Sequence, residues 1–187
     1  MIWKVVKERL KLIKYEVIYI FCNYIVCNIP IWFIRKSLYQ LLGMKIGSKS
    51  RILLKTKVID PWKVVIGNRT TINEGCFLDG RGGLAIGDDT SISFGTKILT
   101  ADHDIKSSDF SYQICPVEIG DRVFIGIHAI VLKGCTIEDN VVIAAGSVTK
   151  TGKYSKNKIY SGIPAVYVKE RELEGDYKLG TWLPWFI

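Results

Sequence analysis

The sequence predicts an all-β fold, a parallel β-helix built from short coils. Aliphatic residues recur six positions apart, three such hexads make one group, and residues that tolerate a positive φ often stand three positions after the aliphatic residue. One inward aliphatic side chain and one corner per hexad describe a triangular coil of three short strands. Stacked coils would pair strand on strand and fill a prism-shaped core with the aliphatic residues. The spacing does not determine the handedness of the coil.

The first segment, residues 1–45, is predicted to be a helical arm. Its apolar residues recur at steps of three and four and form a stripe of Ile2, Val6, Leu10, Ile13, Val17, Ile20 and Tyr24. Lysines lie off this stripe, which is typical of a basic amphipathic helix. Residues 1–57 carry a net charge of +10, and the other 130 residues carry a net charge of −2. A nucleic-acid footprint spread over the body is therefore not expected.

Three placements of the arm are compatible with this pattern. A helix pair would cap one end of the body with its apolar face inward. An interfacial helix would lie on anionic lipid with Trp3 and Trp32 at the level of the headgroups. A membrane span would lie within residues 17–34, where Asn23, Asn28 and Pro30 interrupt the apolar run. We see no cleavage site of a signal peptide and expect a cytoplasmic protein, free or at the inner face of the membrane.

The second segment, residues 46–150, carries the repeat. Its aliphatic positions are Ile46, Ile52, Val58, Ile66, Ile72, Leu78, Ile86, Ile92, Ile98, Ile119, Ile125, Val131, Ile137 and Ile143. The predicted corners include Gly75, Asp89, Gly95, Gly134, Asn140 and Gly146, and His128 shares that position, so a structural role is expected for it. The five cysteines form no C-x-x-C pair, and Cys76 and Cys135 occupy repeat positions of small buried residues.

The repeat is interrupted between Ile98 and Ile119, where 15 residues beyond one hexad are extruded as a loop at about 102–116. A prism without insertions has flat faces and no pocket. A loop that projects from it would supply one wall of an active site. His103 stands at the root of this loop. An imidazole there suits general-base catalysis, because an alcohol is a poor nucleophile near neutral pH.

Four stretches of the chain follow a known pattern: "IGNRTTINEGCFLDG", "ILTADHD", "VEIGDRVFIGIHAIVLKGCTIEDNVVIAAGSVTK" and "SGIPAVYVKE". They resemble the hexapeptide-repeat acyltransferases, and within that family the maltose and galactoside O-acetyltransferases and the O-acetyltransferases of bacterial surface polysaccharides. The resemblance covers roughly residues 46–170. It implies a left-handed helix, a homotrimer with active sites between subunits, and acetyl-CoA as donor.

The resemblance also assigns roles to residues. His103 matches the general base, and Asn73 matches a position that contacts the acceptor. The other acceptor-side candidates come from the chain itself: Tyr112 is an aromatic residue of the loop suited to a sugar ring, and Asp102 and Asp104 flank the base, where one of them is a candidate to orient the imidazole. The stretch that lines the coenzyme groove is matched by Phe124, Gly126, Ala145, Thr149 and Lys150. Backbone N–H groups of the coil are expected to stabilise the oxyanion.

Three positions depart from the family pattern. Phe124 stands where relatives commonly carry Trp, and Ile163 stands where they carry Asn. Val166 replaces a basic residue, which removes a cation expected to meet the phosphates of the coenzyme. Lys150, with Lys153 or Lys169, is the candidate to meet them instead.

The predicted function is transfer of an acetyl group from acetyl-CoA to a carbohydrate hydroxyl in the synthesis of a surface glycan, with no metal required. An amino sugar, an antibiotic or serine as acceptor is the alternative, and a non-catalytic trimeric scaffold is a further one. A zinc carbonic anhydrase on this prism needs three histidines, and the chain has two. The C-terminal extension, residues 151–187, carries Trp182, Trp185 and Phe186, which would cover the last coil or bind a partner.

Overall fold

The structure is a computed structural model that describes residues 2–180, without the side chains of Ile2, Lys4 and Val5. The predicted roles of Trp182, Trp185 and Phe186 lie outside the described residues. The helical elements are α1 (Ile2–Ile20), a π-helical turn (Phe21–Ile25), a 3₁₀ turn (Val26–Asn28), α2 (Trp32–Leu41) and a second 3₁₀ turn (Pro61–Lys63).

The strands are short and follow one another around the coil. They are β1 (Lys45–Ile46), β2 (Arg51–Ile52), β3 (Lys57–Ile59), β4 (Val64–Ile66), β5 (Thr71–Ile72), β6 (Phe77–Asp79), β7 (Leu84–Ile86), β8 (Ser91–Ile92), β9 (Lys97–Ile98), β10 (Ala101–His103), β11 (Tyr112–Ile114), β12 (Val117–Ile119), β13 (Phe124–Ile125), β14 (Ile130–Val131), β15 (Cys135–Ile137), β16 (Val142–Ile143), β17 (Gly152–Tyr154), β18 (Lys158–Gly162) and β19 (Ala165–Glu170).

The coil has three parallel faces within the described residues, which confirms the predicted parallel β-helix. Sheet 1 has the order β1-β4-β7-β12-β15-β17, sheet 2 has β2-β5-β8-β13-β16-β18 with β19 antiparallel at its end, and sheet 3 has β3-β6-β9-β14. Each strand pairs with the strand one coil away, so every coil is hydrogen-bonded to the next. Strands β10 and β11 form a separate antiparallel hairpin.

The predicted core is confirmed. All fourteen aliphatic positions of the repeat are buried, and the most exposed of them, Ile46, is 8% exposed. The aliphatic residues also stand in register from coil to coil: Ile52 pairs with Ile72, and Ile72 with Ile92. Each core side chain therefore stacks on its counterpart in the next coil, and the hydrophobic free energy is distributed along the whole prism.

The predicted corners are confirmed as well, because all six named residues have a positive φ, between 54° and 71°. His128 has φ 55° and occupies the corner that its position in the repeat predicted. Glycine is also required where coils approach closely: a Cβ on Gly87 would lie 2.7 Å from the carbonyl carbon of Gly120 in the next coil. Cys76 and Cys135 are buried.

The segment after α1 caps the first coil. Asn23 accepts a hydrogen bond from the N–H of Val58 at 2.7 Å and donates one to the carbonyl of Val58 at 2.8 Å, so its amide substitutes for a neighbouring strand. Arg35 on α2 is fully buried and donates to the carbonyl of Ile52 at 2.9 Å. These contacts satisfy backbone groups that the first strands of sheets 2 and 3 would otherwise leave unpaired.

Helix α1 does not bury its apolar stripe. Leu10 is 59% exposed, Ile13 54% and Val17 58%, and the described side chains between residues 6 and 17 all face solvent. Within one chain the stripe therefore does not face the body, in contrast to the placement as a cap. Ile18 and Tyr19, which are partly buried, lie off the stripe near the C-terminal end of α1. Among the described residues, no helix combines the length and apolar character that crossing a bilayer requires.

Candidate active site

The interruption of the repeat forms a β-hairpin that projects from one edge of the prism. We call this edge, where sheet 3 passes into sheet 1, the insertion edge. Residues 60–63 and 80–83 turn there in the first two coils, and residues 99–116 turn there in the third. In the hairpin, His103 of β10 stands opposite Tyr112 of β11. The hairpin thus places a titratable side chain beside an aromatic ring, both exposed.

The ring of His103 is held on two sides. It stacks on Phe110, with ring centroids 4.4 Å apart and planes at 7°, and it meets Tyr112 edge-on at 5.5 Å. Nδ1 lies 2.9 Å from the carbonyl oxygen of Phe110. A carbonyl can only accept, so Nδ1 carries the proton and Nε2 of the neutral ring is left as an acceptor. The geometry therefore presents an imidazole in the tautomer that takes a proton through Nε2.

The two aspartates beside His103 point elsewhere. Asp102 forms an ion pair with Lys133 at 2.8 Å, and Asp104 accepts a hydrogen bond from the N–H of Lys106 at 2.9 Å. The contact to the imidazole nitrogen comes from the carbonyl of Phe110. Sequence reasoning missed this group, because any residue at position 110 supplies a carbonyl, and only the pairing of the hairpin strands brings this one to Nδ1.

Two further residues that the sequence did not single out brace the hairpin from neighbouring coils. Lys133, in the following coil, donates to the side chain of Gln113 at 2.6 Å besides its pair with Asp102. Arg81, in the preceding coil, lies over the ring of Tyr112 with its Cζ 5.7 Å from the ring centroid. Both cations lie at the insertion edge. The sequence could have indicated them, because each stands at the position in a neighbouring coil that corresponds to the interruption.

Asp79 holds Arg81 in place. Its carboxylate is fully buried and accepts two hydrogen bonds from the guanidinium, at 2.8 and 2.9 Å, and one from the N–H of Thr100 at 2.9 Å. Burial favours the protonated carboxyl, but the hydrogen bonds from Arg81 and Thr100 outweigh it, so the pKa of Asp79 lies below its ordinary value. Arg81 is therefore a fixed cation next to the hairpin.

The predicted coenzyme residues are divided between two edges of the prism. Gly126 and Ala145 follow strands of sheet 2 and lie at the edge between sheets 2 and 3, the second edge. They stand in adjacent coils, and a Cβ on Gly126 would lie 2.4 Å from the backbone nitrogen of Ala145. Phe124, on the adjoining strand β13, is 40% exposed. Small residues and one exposed aromatic ring thus line this part of the surface.

Asn73 also lies at the second edge, away from His103. Its side-chain amide donates to the carbonyl of Ile92 in the next coil at 2.9 Å. This contact braces neighbouring coils, which is the structural role that an amide at this position can have. Within one chain the structure does not bring Asn73 and His103 together.

Thr149 and Lys150 lie at the insertion edge, in a later coil than His103. Thr149 is fully buried, and its hydroxyl accepts a hydrogen bond from the N–H of Leu132 at 3.1 Å. Its side chain therefore braces the coil, in contrast to the predicted contact with the coenzyme. Lys150 is exposed, whereas Lys153 forms an ion pair with Glu138 at 2.6 Å. Lys150 is thus the better placed of these two lysines to meet a phosphate.

Comparisons with known proteins agree with the fold. The family model described as "Bacterial transferase hexapeptide (six repeats)" matches residues 116–151. The putative colanic acid biosynthesis acetyltransferase WcaF of Escherichia coli is 32% identical over 138 residues, which cover 73% of this chain and 75% of WcaF. The chain belongs to the hexapeptide-repeat acetyltransferases.

Solved structures of similar acetyltransferases match the same fold. A maltose O-acetyltransferase of Clostridium difficile superposes with a TM-score of 0.77 at 26% identity, over 87% of this chain and 89% of that one. A hexapeptide-repeat acetyltransferase of Vibrio cholerae, solved with acetyl coenzyme A, superposes with a TM-score of 0.70 at 27% identity, over 75% and 78% of the two chains. Among the described residues of this acetyltransferase, no group of three or more His, Cys, Asp or Glu could hold a metal ion.

The brace of the hairpin in this acetyltransferase can be tested by Lys133→Met. The substitution removes the ion pair to Asp102 and the hydrogen bond to Gln113 while keeping the length of the side chain. Because hydrogen bonds to a charged group are worth about 1.5–3 kcal/mol, amides of β10 and β11 should exchange with solvent at least about tenfold faster. Lys106→Met at the exposed tip of the hairpin is the matched control. Equal exchange in the two variants would contradict the brace.

Proposed function

We propose that this acetyltransferase transfers the acetyl group of acetyl-CoA to a carbohydrate hydroxyl, with His103 as general base, in the synthesis of a surface polysaccharide. The observation that carries the proposal is the contact of His103 with Phe110. Nδ1 lies 2.9 Å from the carbonyl oxygen of Phe110, which can only accept a proton, so Nε2 of the exposed ring is the nitrogen that can take a proton from a hydroxyl.

In the proposed reaction His103 acts on both halves of the transfer. Nε2 takes the hydroxyl proton as the acceptor oxygen attacks the thioester carbonyl. Backbone N–H groups of the coil stabilise the tetrahedral oxyanion. When the carbon–sulfur bond breaks, the imidazolium returns its proton to the leaving thiolate. The carbonyl of Phe110 steadies the imidazolium during this interval, because it stays an acceptor for the N–H of Nδ1.

We propose that two copies of the chain complete each site in a homotrimer. His103 and Lys150 stand at the insertion edge, whereas Phe124, Gly126 and Ala145 stand at or beside the second edge. A single prism therefore separates the base from the surface of small residues suited to the pantetheine arm. Packing the insertion edge of one copy against the second edge of a neighbour would bring the two halves together.

A role in surface polysaccharide synthesis is supported by the similarity to WcaF, which spans most of both chains. The residues next to the base agree with a sugar acceptor. Tyr112 and Phe110 offer exposed aromatic rings, and Arg81 offers a cation with hydrogen-bond donors. Aromatic faces with a few fixed polar groups are the usual lining of a small-molecule site.

The test is turnover of acetyl-CoA over a panel of mono- and oligosaccharides, followed by release of the free thiol of CoA and by the mass of the product. We expect acetylation of a hydroxyl, which mild base reverses. A base-stable product on an amino sugar would replace the O-acetyl assignment with N-acetylation. Thiol release that no saccharide accelerates would contradict the proposal.

We also propose that α1 lies on the anionic inner face of the membrane. Its apolar stripe is exposed along the described part of the helix, from Val6 to Ile20, and Trp3 is 78% exposed. Lys7, Lys11 and Lys14 lie on a different face of the helix. A helix with an unburied apolar face and lysines beside it suits the boundary between acyl chains and anionic headgroups.

The double variant Leu10→Gln with Ile13→Gln should abolish this contact. Burying each of these side chains in lipid stabilises by roughly 1.5–3 kcal/mol, so the loss of both should lower the partition coefficient by about a hundredfold or more. The measurement is flotation with vesicles of phosphatidylcholine and phosphatidylserine. Leu12→Gln, which is 59% exposed but off the stripe, is the control. A wild-type protein that stays unbound, or a double variant that floats equally well, would contradict the proposal.

A further inference from the structure

A cavity of about 560 Å³ lies where α1 meets the first coil, away from the coenzyme surface at the second edge. Its lining includes Lys11, Lys14, Tyr15, Ile18, Leu41 and Trp62. Tyr15 meets Trp62 edge-on with centroids 6.2 Å apart, which joins the helix to the corner of the first coil. Leu41 is 83% exposed at this cavity, so apolar surface is open to a ligand.

The lining combines two kinds of chemistry. Lys11 and Lys14, one turn apart on α1, supply positive charge, and most of the other lining side chains are apolar or aromatic. Two carboxylates close to lining residues in the chain have cation partners: Glu8 pairs with Lys11 at 2.9 Å, and Asp60, two residues before Trp62, lies 3.6 Å from Lys63. The pair with Glu8 is exposed on both sides and so contributes little, which leaves Lys11 free to exchange it for another anion. Charge and apolar lining together favour an anion attached to a hydrocarbon chain.

A line of contacts leads from this cavity to His103 along the insertion edge. Lys63, next to Trp62, donates to the carbonyl of Arg81 at 2.8 Å. Arg81 lies over Tyr112, and Tyr112 meets His103. These groups belong to three consecutive coils, and strands stack about 4.8 Å apart, so the cavity wall and the base are separated by roughly 10 Å along the edge. A saccharide attached to a ligand in the cavity would extend over the same edge that carries the base.

We propose that the cavity binds the phosphate and the adjoining hydrocarbon of a lipid phosphate, and that the acceptor is a saccharide carried on such a lipid. Lys11 and Lys14 bind the phosphate, and Ile18, Leu41 and Trp62 contact the hydrocarbon. The inference about the acceptor rests on the proposed function, whereas the inference about the cavity does not.

Binding tests the cavity without any turnover. The probes are farnesyl phosphate, farnesol and inorganic phosphate, titrated calorimetrically into the full-length protein. Because the site needs both parts of the ligand, farnesyl phosphate should bind at least about tenfold more tightly than either of the others. Leu41→Glu places a carboxylate at the exposed rim and should remove this preference, whereas Leu12→Glu elsewhere on α1 should keep it. Equal binding of the three probes, or an unchanged preference in Leu41→Glu, would overturn the cavity assignment.

Kinetics test the acceptor class. The best saccharide of the panel is compared with the same saccharide joined to farnesyl phosphate. We expect a KM at least about tenfold lower for the lipid form, and we expect Lys11→Gln with Lys14→Gln to bring the KM values of the two acceptors together. Lys7→Gln is the control. Equal KM values for the two acceptors would overturn the acceptor class and leave the acetyl transfer standing. If neither acceptor were acetylated while farnesyl phosphate still bound selectively, the proposed function would be refuted and the cavity assignment would stand.

Discussion

His103→Ala should lower kcat/KM for acetyl transfer by about 10²–10⁴-fold, the range that a positioned general base contributes. The physical reason is that an alcohol keeps its proton near neutral pH, and His103 is the group whose Nε2 can take it. The ring is exposed and stands on the projecting hairpin, so its truncation leaves no cavity in the core and the coil should stay folded. The measurement is the initial rate of CoA thiol release at a series of acetyl-CoA concentrations with a saturating saccharide.

The second histidine supplies the control for this experiment. His128 lies at a corner with φ 55°, a conformation that asparagine also tolerates, so His128→Asn should retain both the fold and the activity. A His103→Ala enzyme with a wild-type rate would remove the assigned base.

Leu78→Ala should lower the free energy of unfolding by about 2–5 kcal/mol, the range observed for truncation of a fully buried leucine. Leu78 has no exposed surface and is paired in register with Val58 above and Ile98 below. Its loss therefore opens a void in the middle of the prism. The neighbouring coils cannot close the void, because their backbones are already in hydrogen-bonded contact. Urea titration followed by circular dichroism measures the difference.

Val65→Ala is the matched control for the core substitution. Val65 lies on β4, next to the buried Val64 and Ile66, but points to the outside of the coil and is 41% exposed. Its truncation should change the free energy of unfolding by no more than about 0.5–1 kcal/mol. Similar losses in the two variants would mean that the inner and outer positions of the hexad are assigned wrongly.

The repeat could be predicted in detail because each coil imposes the same local conditions. Every hexad requires one apolar side chain inside and one corner residue that accepts a positive φ. Residues of these two types therefore recur at fixed intervals in the sequence. Ile72 and Gly75 are such a pair within one hexad: Ile72 is buried, and the chain turns at Gly75 with a positive φ. His128 could be assigned to a corner on the same basis.

The arm could be predicted only in part. The stripe of α1 predicts a helix, and a helix is present, but periodicity does not say which surface covers the apolar face. In the structure Leu10 and Val17 remain exposed, while Asn23 and Arg35 cap the first coil through backbone hydrogen bonds. The sequence did not indicate this capping. Asn23 and Arg35 bind backbone carbonyl and amide groups more than fifteen residues away, and a pattern along the chain does not show which backbone groups a polar side chain will reach.

The sequence by itself determined the prism, its core, its corners and the place where the repeat opens, since all of these follow from local periodicity. The tertiary structure decided how His103 is held. Its proton position depends on the carbonyl of Phe110, its hairpin on Lys133 from the next coil, and its aromatic neighbour on Arg81 from the previous one. Such contacts join residues whose separation along the chain is set by stacking and strand pairing, so no spacing within a single hexad encodes them.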